Sequence, residues 1–101
     1  NKIIAEKIKG KKLIFTRYFK IRTAWKGISD EKVLEIFPQF DKVIAIEIKK
    51  LKFGDLGYEM FYRLDGGITF SIATCPQNNR IMLIHAIEYK RNIERRFTRR
   101  E

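Results

Sequence analysis

The stretch Ile81–Arg100, IMLIHAIEYKRNIERRFTRR, changes abruptly from apolar to basic. Its first four residues are all apolar, a run that is too short for a separate helix and lacks the alternation of a half-exposed strand. Such a run is typical of a strand near the centre of a sheet, covered on both faces. The arginines that follow must meet solvent or an anion, because unpaired charges are almost never buried. We therefore expect an interior strand that leads into a basic C-terminal helix over residues 88–101.

The N-terminal part of the chain predicts a strand followed by two helices. Residues 1–11 form a lead-in segment that contains a possible short helix, and Lys12–Thr16 reads as a short strand. Arg17–Lys26 has a helical rhythm of apolar residues, and Ser29 is well placed to cap a second helix. The predicted inner face of this second helix consists of its apolar residues, Val33, Leu34, Ile36 and Phe37.

From residue 43 onward the apolar pattern changes to a period of two, which is typical of strands. The predicted strands are Val43–Lys50, Tyr58–Leu64, Ile68–Thr74 and Arg80–Ile87. In the first of them, Ile44, Ile46 and Ile48 are expected to share one face. Asp65-Gly66-Gly67 supplies the positive-φ residues of a tight hairpin. The sequence therefore predicts a single α+β domain over 1–101, with two N-terminal helices on a four-stranded antiparallel meander and a C-terminal basic helix.

Length and composition favour an ordinary soluble protein. A chain of 101 residues can bury a core without a metal or a disulfide. Its one cysteine, Cys75, has no partner for an internal disulfide, which is typical of an intracellular protein with a passive thiol. The longest apolar runs are far shorter than the roughly 20 residues of a membrane span. We expect no signal peptide, no membrane contact and a cytoplasmic location.

The net charge of +10, from 22 basic and 12 acidic residues, is the strongest functional indication in the sequence. A field of this sign attracts polyanions, so nucleic acid is the favoured partner, with RNA favoured over DNA. A basic surface also serves solubility alone, and an acidic protein would satisfy the same field. The candidate nucleic-acid-binding residues are the clustered cations Arg22, Lys26, Lys90, Arg91, Arg95, Arg96, Arg99 and Arg100.

Few classes of enzyme fit the available side chains. One histidine and one distant cysteine do not supply the usual ligand set of a catalytic metal, and no glycine-rich phosphate loop is present. We therefore expect neither a metal nor a cofactor. Phosphodiester cleavage without a metal needs only a proton shuttle and cations, and the candidate catalytic residues are His85, Arg63 and Lys49.

Structural roles compete with each of these assignments. A lone histidine in an apolar strand is often a half-buried structural residue, and Arg63 has Glu59 on the same strand face as a partner for a solvated ion pair. Tyr58, Tyr62 and Phe70 are more often core aromatics than base-stacking platforms.

Two local patterns resemble the RelE/ParE toxin superfamily. The first is Tyr18-x3-Arg22-x3-Lys26-Gly27-Ile28-Ser29, which is similar to a His-x3-Arg-x3-Arg-Gly-Ile-Ser helix pair of RelE-like proteins. The second is an Asp-Gly hairpin, a strand and Met82–Ala86, MLIHA, followed by Glu-Arg-Arg-Phe, which resembles the closing half of BrnT-type toxins. Tyr18 stands where that family has a histidine, His85 where it has a serine, and Ile87 where it has an arginine.

The resemblance implies a RelE-like fold and a metal-independent endoribonuclease that is neutralised by a small acidic antitoxin. Two other classes stay open. One is a non-catalytic DNA- or RNA-binding module of viral or archaeal origin, and the other is a protein-interaction domain with a basic tail.

Overall fold

The computed structural model describes residues 2–52 and 54–90. Its helices are a π-helical segment Ile4–Ile8, α1 Arg17–Trp25, α2 Asp30–Ile36, and two 3-10 turns, Phe40–Lys42 and Asp65–Gly67. Its strands are β1 Lys12–Ile14, β2 Val43–Lys50, β3 Leu56–Arg63, β4 Thr69–Pro76 and β5 Arg80–Tyr89. The class is α+β, as predicted.

All five strands form one mixed sheet in the order β1-β5-β4-β3-β2. The pairs β2-β3, β3-β4 and β4-β5 are antiparallel, whereas β1 lies parallel to β5. The prediction of a four-stranded antiparallel meander was wrong in this respect, because β1 joins the sheet as a fifth strand. The two helices connect β1 to β2 at the opposite edge, and the meander then brings β5 back beside β1. β5 is thus an interior strand, as its apolar sequence predicts.

The predicted start of the C-terminal helix is also wrong. Glu88 and Tyr89 belong to β5, where they pair with Phe70 and Thr69 of β4. β4 begins at Thr69, so it offers pairing partners to β5 as far as Tyr89. The remainder of the predicted helix, residues 91–101, lies outside the described residues.

Both helices begin at side-chain caps. The Thr16 hydroxyl accepts a hydrogen bond from the Phe19 amide at 3.1 Å, and the Ser29 hydroxyl accepts one from the Lys32 amide at 3.2 Å. Such caps satisfy amides that have no partner within the first helical turn. Gly27, at φ 70°, makes the sharp exit from α1 that separates the two helices.

The core lies between the helices and one face of the sheet, which we call the helix face. Its buried residues are Ile4, Ile8, Phe19, Ile28, Val33, Ile36, Phe37, Met60, Tyr62, Phe70, Ile72, Ile81, Leu83 and Ala86. The predicted inner face of α2 is correct except at Leu34, which is 51% exposed. Ile36 and Phe37 follow Val33 by three and four residues and share its face, whereas Leu34 is turned about 100° from Val33.

A bulge between Val43 and Ala45 corrects the predicted faces of β2. The inserted residue is Ile44. Val43, and not Ile44, therefore shares the helix face with Ile46, because Val43 pairs with Tyr62 and Ile46 pairs with Met60. The other face of the sheet therefore receives Ala45, Glu47 and Lys49 from β2. We call it the open face, although Phe61 and Ser71 on it are fully buried. Within residues 2–52 and 54–90, no helix combines the length and the apolar character needed to cross a bilayer.

A buried hydrogen bond from Tyr62 gives a test of this packing. The Tyr62 hydroxyl donates to the Phe37 carbonyl at 2.8 Å and so ties β3 to the end of α2. In Tyr62→Phe that buried carbonyl loses its donor, and we expect the free energy of unfolding to fall by about 1–2 kcal/mol in denaturant titrations. Tyr18→Phe, which alters an exposed tyrosine, is the control and should change it by less than about 0.5 kcal/mol. Equal stability of the two variants would contradict the assignment.

Candidate functional site

Four residues form a straight row across the open face of the sheet. Glu47 of β2 pairs with Glu59 of β3, Glu59 pairs with Ala73 of β4, and Ala73 pairs with His85 of β5. A β-bulge beside Ala73 inserts Ile84 into β5. This extra residue shifts the alternation of β5 so that His85 points to the open face and the next residue, Ala86, is buried.

A small groove of about 70 Å³ opens above this row and is lined by Glu59, His85, Lys49 and the small residues Gly57 and Ala73. Neighbouring strands are about 4.8 Å apart, so the main chains of β3 and β5 are about 10 Å apart with β4 between them. β4 contributes only the methyl group of Ala73 here, so Glu59 and His85 lie on either side of this small residue.

Burial and the surrounding charges together lower the pKa of His85. Partial burial lowers the pKa of His85 below its ordinary value of 6.5, and Lys26, Arg22 and Lys49 act in the same direction. The carboxylate of Glu59 opposes them and raises the pKa. The Nδ1 atom of His85 is buried and has no hydrogen-bond partner among the described residues. A neutral imidazole can accept a proton near neutral pH, which is the requirement for a general base.

Lys49 and Glu59 form the charged wall of the groove. The Lys49 ammonium lies 4.0 Å from the nearer Glu59 oxygen, a long ion pair between an exposed cation and a carboxylate that is only 6% exposed. A pair of this length in contact with water contributes little to stability. Lys49 is therefore a cation at the rim of the groove that an incoming anion can contact.

A stripe on α1 brings two more cations to His85. Tyr18, Arg22 and Lys26 are spaced four residues apart and lie on one side of the helix. Arg22 donates from Nη1 to the Tyr18 hydroxyl at 2.6 Å, and its guanidinium lies 5.2 Å from the centre of the Tyr18 ring. Burial lowers the pKa of Lys26, and Arg22 lowers it further.

The position of α1 follows from the shortness of β1, which pairs with β5 only as far as Met82. Beyond Met82, side chains of the α1 region bond to carbonyl groups of β5. The Thr16 hydroxyl donates to the Leu83 carbonyl at 3.2 Å, and Lys26 Nζ lies 3.4 Å from the Ala86 carbonyl. Thr16, whose side chain caps α1, thus also bonds to β5.

The structure brings together four of the candidate residues named from the sequence: His85, Lys49, Arg22 and Lys26. Arg63 also lies on β3, but four residues from Glu59 and thus about 13 Å along the strand, so it is outside the groove. Lys90 lines a second groove with Lys26. The other candidate cations, Arg91, Arg95, Arg96, Arg99 and Arg100, lie outside the described residues.

Sequence reasoning considered Glu59 only as an ion-pair partner of Arg63. Its proximity to His85 depends on the register of three strands, which the alternation within one strand does not give. The available signal was a carboxylate in an otherwise apolar strand, since Glu59 lies between Tyr58 and Met60. Within residues 2–52 and 54–90, no three His, Cys, Asp or Glu side chains are grouped as ligands for a metal ion.

Comparison with known proteins found no matching family model, no significantly similar curated protein and no significantly similar solved structure.

The opposing charges around His85 predict a specific response of its pKa to mutation. His85 is the single histidine of the chain, so its ring resonances in an NMR pH titration need no assignment. We expect a midpoint below 6.5 in the native protein, since burial and three cations disfavour the imidazolium. Glu59→Gln removes the one group that raises the pKa, so it should lower the midpoint further, and Lys49→Met should raise it.

Glu31→Gln on the first turn of α2 removes an equivalent charge away from the groove and serves as the matched control. A Glu59→Gln midpoint equal to that of Glu31→Gln, or higher than that of the native protein, would contradict the arrangement described above.

Proposed function

We propose that the protein binds RNA in the groove of the open face and cleaves its phosphodiester backbone without a metal. This proposal rests on the groups that surround His85. One carboxylate, Glu59, lies opposite the imidazole, and three cations act on it: Lys49, Arg22 and Lys26. This set contains a base and the positive charges that phosphodiester cleavage requires.

In the proposed reaction His85 is the proton shuttle. Its neutral imidazole takes the proton of a ribose 2′-hydroxyl, and the resulting oxygen attacks the adjacent phosphorus. The bond between phosphorus and the 5′-oxygen of the next nucleotide breaks, and the imidazolium returns the proton to that oxygen. The products are a 2′,3′-cyclic phosphate and a 5′-hydroxyl. DNA lacks the attacking hydroxyl, so the reaction is specific for RNA.

The three cations stabilise the additional negative charge that develops on the phosphorane. Lys49 approaches it from the sheet, whereas Arg22 and Lys26 approach it from α1, so the phosphate is held between two elements. Glu59 is a positioning residue in this scheme, because its negative charge favours the imidazolium that His85 forms during the reaction.

The resemblance to the RelE/ParE superfamily supports the same function. Tyr18, Arg22 and Lys26 belong to the pattern on which that resemblance rests. The charges of Arg22 and Lys26 also lower the pKa of His85. We propose on this basis a toxin-type endoribonuclease of the cytoplasm, with a small acidic antitoxin as its protein partner.

Cleavage of a fluorescent oligoribonucleotide in excess chelator tests the activity. We expect His85→Ala to reduce kcat by about 100- to 10,000-fold, the usual contribution of a general base. On the acid side, kcat/KM should rise with pH through an inflection below 6.5, because the free enzyme is active only when His85 is unprotonated.

Lys49→Ala should lower kcat/KM by about 10- to 100-fold, because one cation at the phosphorane is lost. Lys50→Ala is the matched control, since this neighbouring lysine is equally exposed but points away from the open face. No cleavage by the native protein, or equal cleavage by the native protein and His85→Ala, would refute the catalytic proposal.

A second candidate is a non-catalytic RNA-binding module that uses the same cations. The observation in its favour is that His85 is half-buried, with Nδ1 inaccessible to solvent. Salt-dependent binding of RNA that is weakened by Lys49→Ala, with no cleavage under any condition, would establish this alternative.

A further inference from the structure

The outer side of α1 exposes an unusual amount of apolar surface. Tyr18 is 58% exposed, Ile21 51% and Trp25 88%, and their spacing of three and four residues places them on one side of the helix. A tryptophan buries a large apolar area whenever a partner is present, so an almost fully exposed one indicates a surface that is covered on binding. We call these three residues the outer stripe.

The charge around the outer stripe indicates which kind of partner covers it. Residues 17–26 contain four cations and no acidic side chain: Arg17, Lys20, Arg22 and Lys26. The Lys20 ammonium lies 4.0 Å from the Asp30 carboxylate, and both side chains are exposed to solvent. A stripe of aromatic rings with cations beside it is the arrangement that binds single-stranded nucleic acid, since bases stack on the rings while phosphates contact the cations.

The outer stripe adjoins Arg22, a cation whose charge acts on His85. Tyr18 is hydrogen-bonded to Arg22, and Arg22 acts on His85. A strand whose phosphate contacts Arg22 can therefore place its bases over the rings of the outer stripe. Tyr18 and Trp25 are about 10 Å apart along the helix axis, so the two rings meet different bases of that strand.

We propose that the outer stripe of α1 is a stacking platform for unpaired bases, and that the protein selects single-stranded RNA. This inference rests on the proposed function, because it names the form of RNA that enters the same groove. It assigns to Tyr18 and Trp25 a role in substrate binding, and it explains why a helix with basic residues carries its aromatic side chains on the solvent side. An RNA duplex, whose bases are already stacked on one another, gains nothing from this platform.

Trp25 is the only tryptophan, so its fluorescence reports directly on the outer stripe. The ligand is a 2′-O-methyl oligoribonucleotide of 12 nucleotides, which the proposed reaction cannot cleave. We expect quenching of Trp25 on titration with the single strand, and much weaker quenching with its duplex or with an abasic strand of equal length and charge. Quenching by the abasic strand equal to that by the complete strand would overturn the proposal.

Affinity measurements with a labelled strand complete the test. Trp25→Ala should weaken binding of the single strand by about 5- to 100-fold, as expected for the loss of one stacked base. Trp25→Phe should restore most of the affinity, because the aromatic face is kept. Leu34→Ala, at an exposed apolar residue of α2, is the matched control and should bind as the native protein does. Trp25 is exposed, so its replacement leaves the core intact.

The remaining outcomes separate this inference from the proposed function. If native protein cleaves RNA while Trp25→Ala binds and cleaves it as Leu34→Ala does, the stacking platform is wrong and the nuclease proposal stands. If Trp25→Ala changes only the sedimentation of the protein and not its RNA affinity, the stripe joins two copies of the chain and the platform is overturned. If native protein neither binds nor cleaves RNA, both proposals fail. For active protein, the increase of KM in Trp25→Ala should exceed its change in kcat.

Discussion

The candidate site depends on the unequal pairing of β5 along its two edges. β4 accompanies β5 over its whole length, whereas β1 accompanies it only as far as Met82. Beyond that point β5 is bonded by side chains of the α1 region, first by Thr16 and then by Lys26. A longer β1 would occupy this edge and keep α1 away from it. The short strand therefore places a basic helix beside the one histidine.

The open face combines burial and charge at short range. Glu59 is nearly inaccessible, yet it lies opposite a half-buried imidazole whose pKa is lowered by that burial and by three cations. Because these effects oppose one another, the loss of any one neighbour shifts the pKa of His85, which therefore depends on the whole set of charges around it. Ala73 also contributes to the arrangement, because a larger side chain there would lie between Glu59 and His85.

Much of the fold follows from local patterns. The caps at Thr16 and Ser29, the positive-φ glycines at residues 66 and 67 and the alternation over Val43–Lys50 each depend on a few neighbouring residues, and their elements formed close to the expected bounds. The predictions were wrong where the structure depends on contacts between distant parts of the chain. The parallel pairing of β1, the extension of β5 to Tyr89 and the bulges beside Val43 and Ala73 are all properties of strand register, which no single strand encodes.

The sequence by itself determined the α+β class, the interior position of β5, the excess of positive charge and the presence of a single histidine, His85. Tertiary structure alone decided its surroundings. It brought Glu59 into the site through the two strand pairings β3-β4 and β4-β5, added Arg22 and Lys26 from α1, and placed Arg63 about 13 Å along β3 from Glu59. The physical reason is the distance along the chain over which each interaction acts. A cap or a turn depends on residues that are neighbours in the sequence, whereas a pKa depends on every charge that folding brings near.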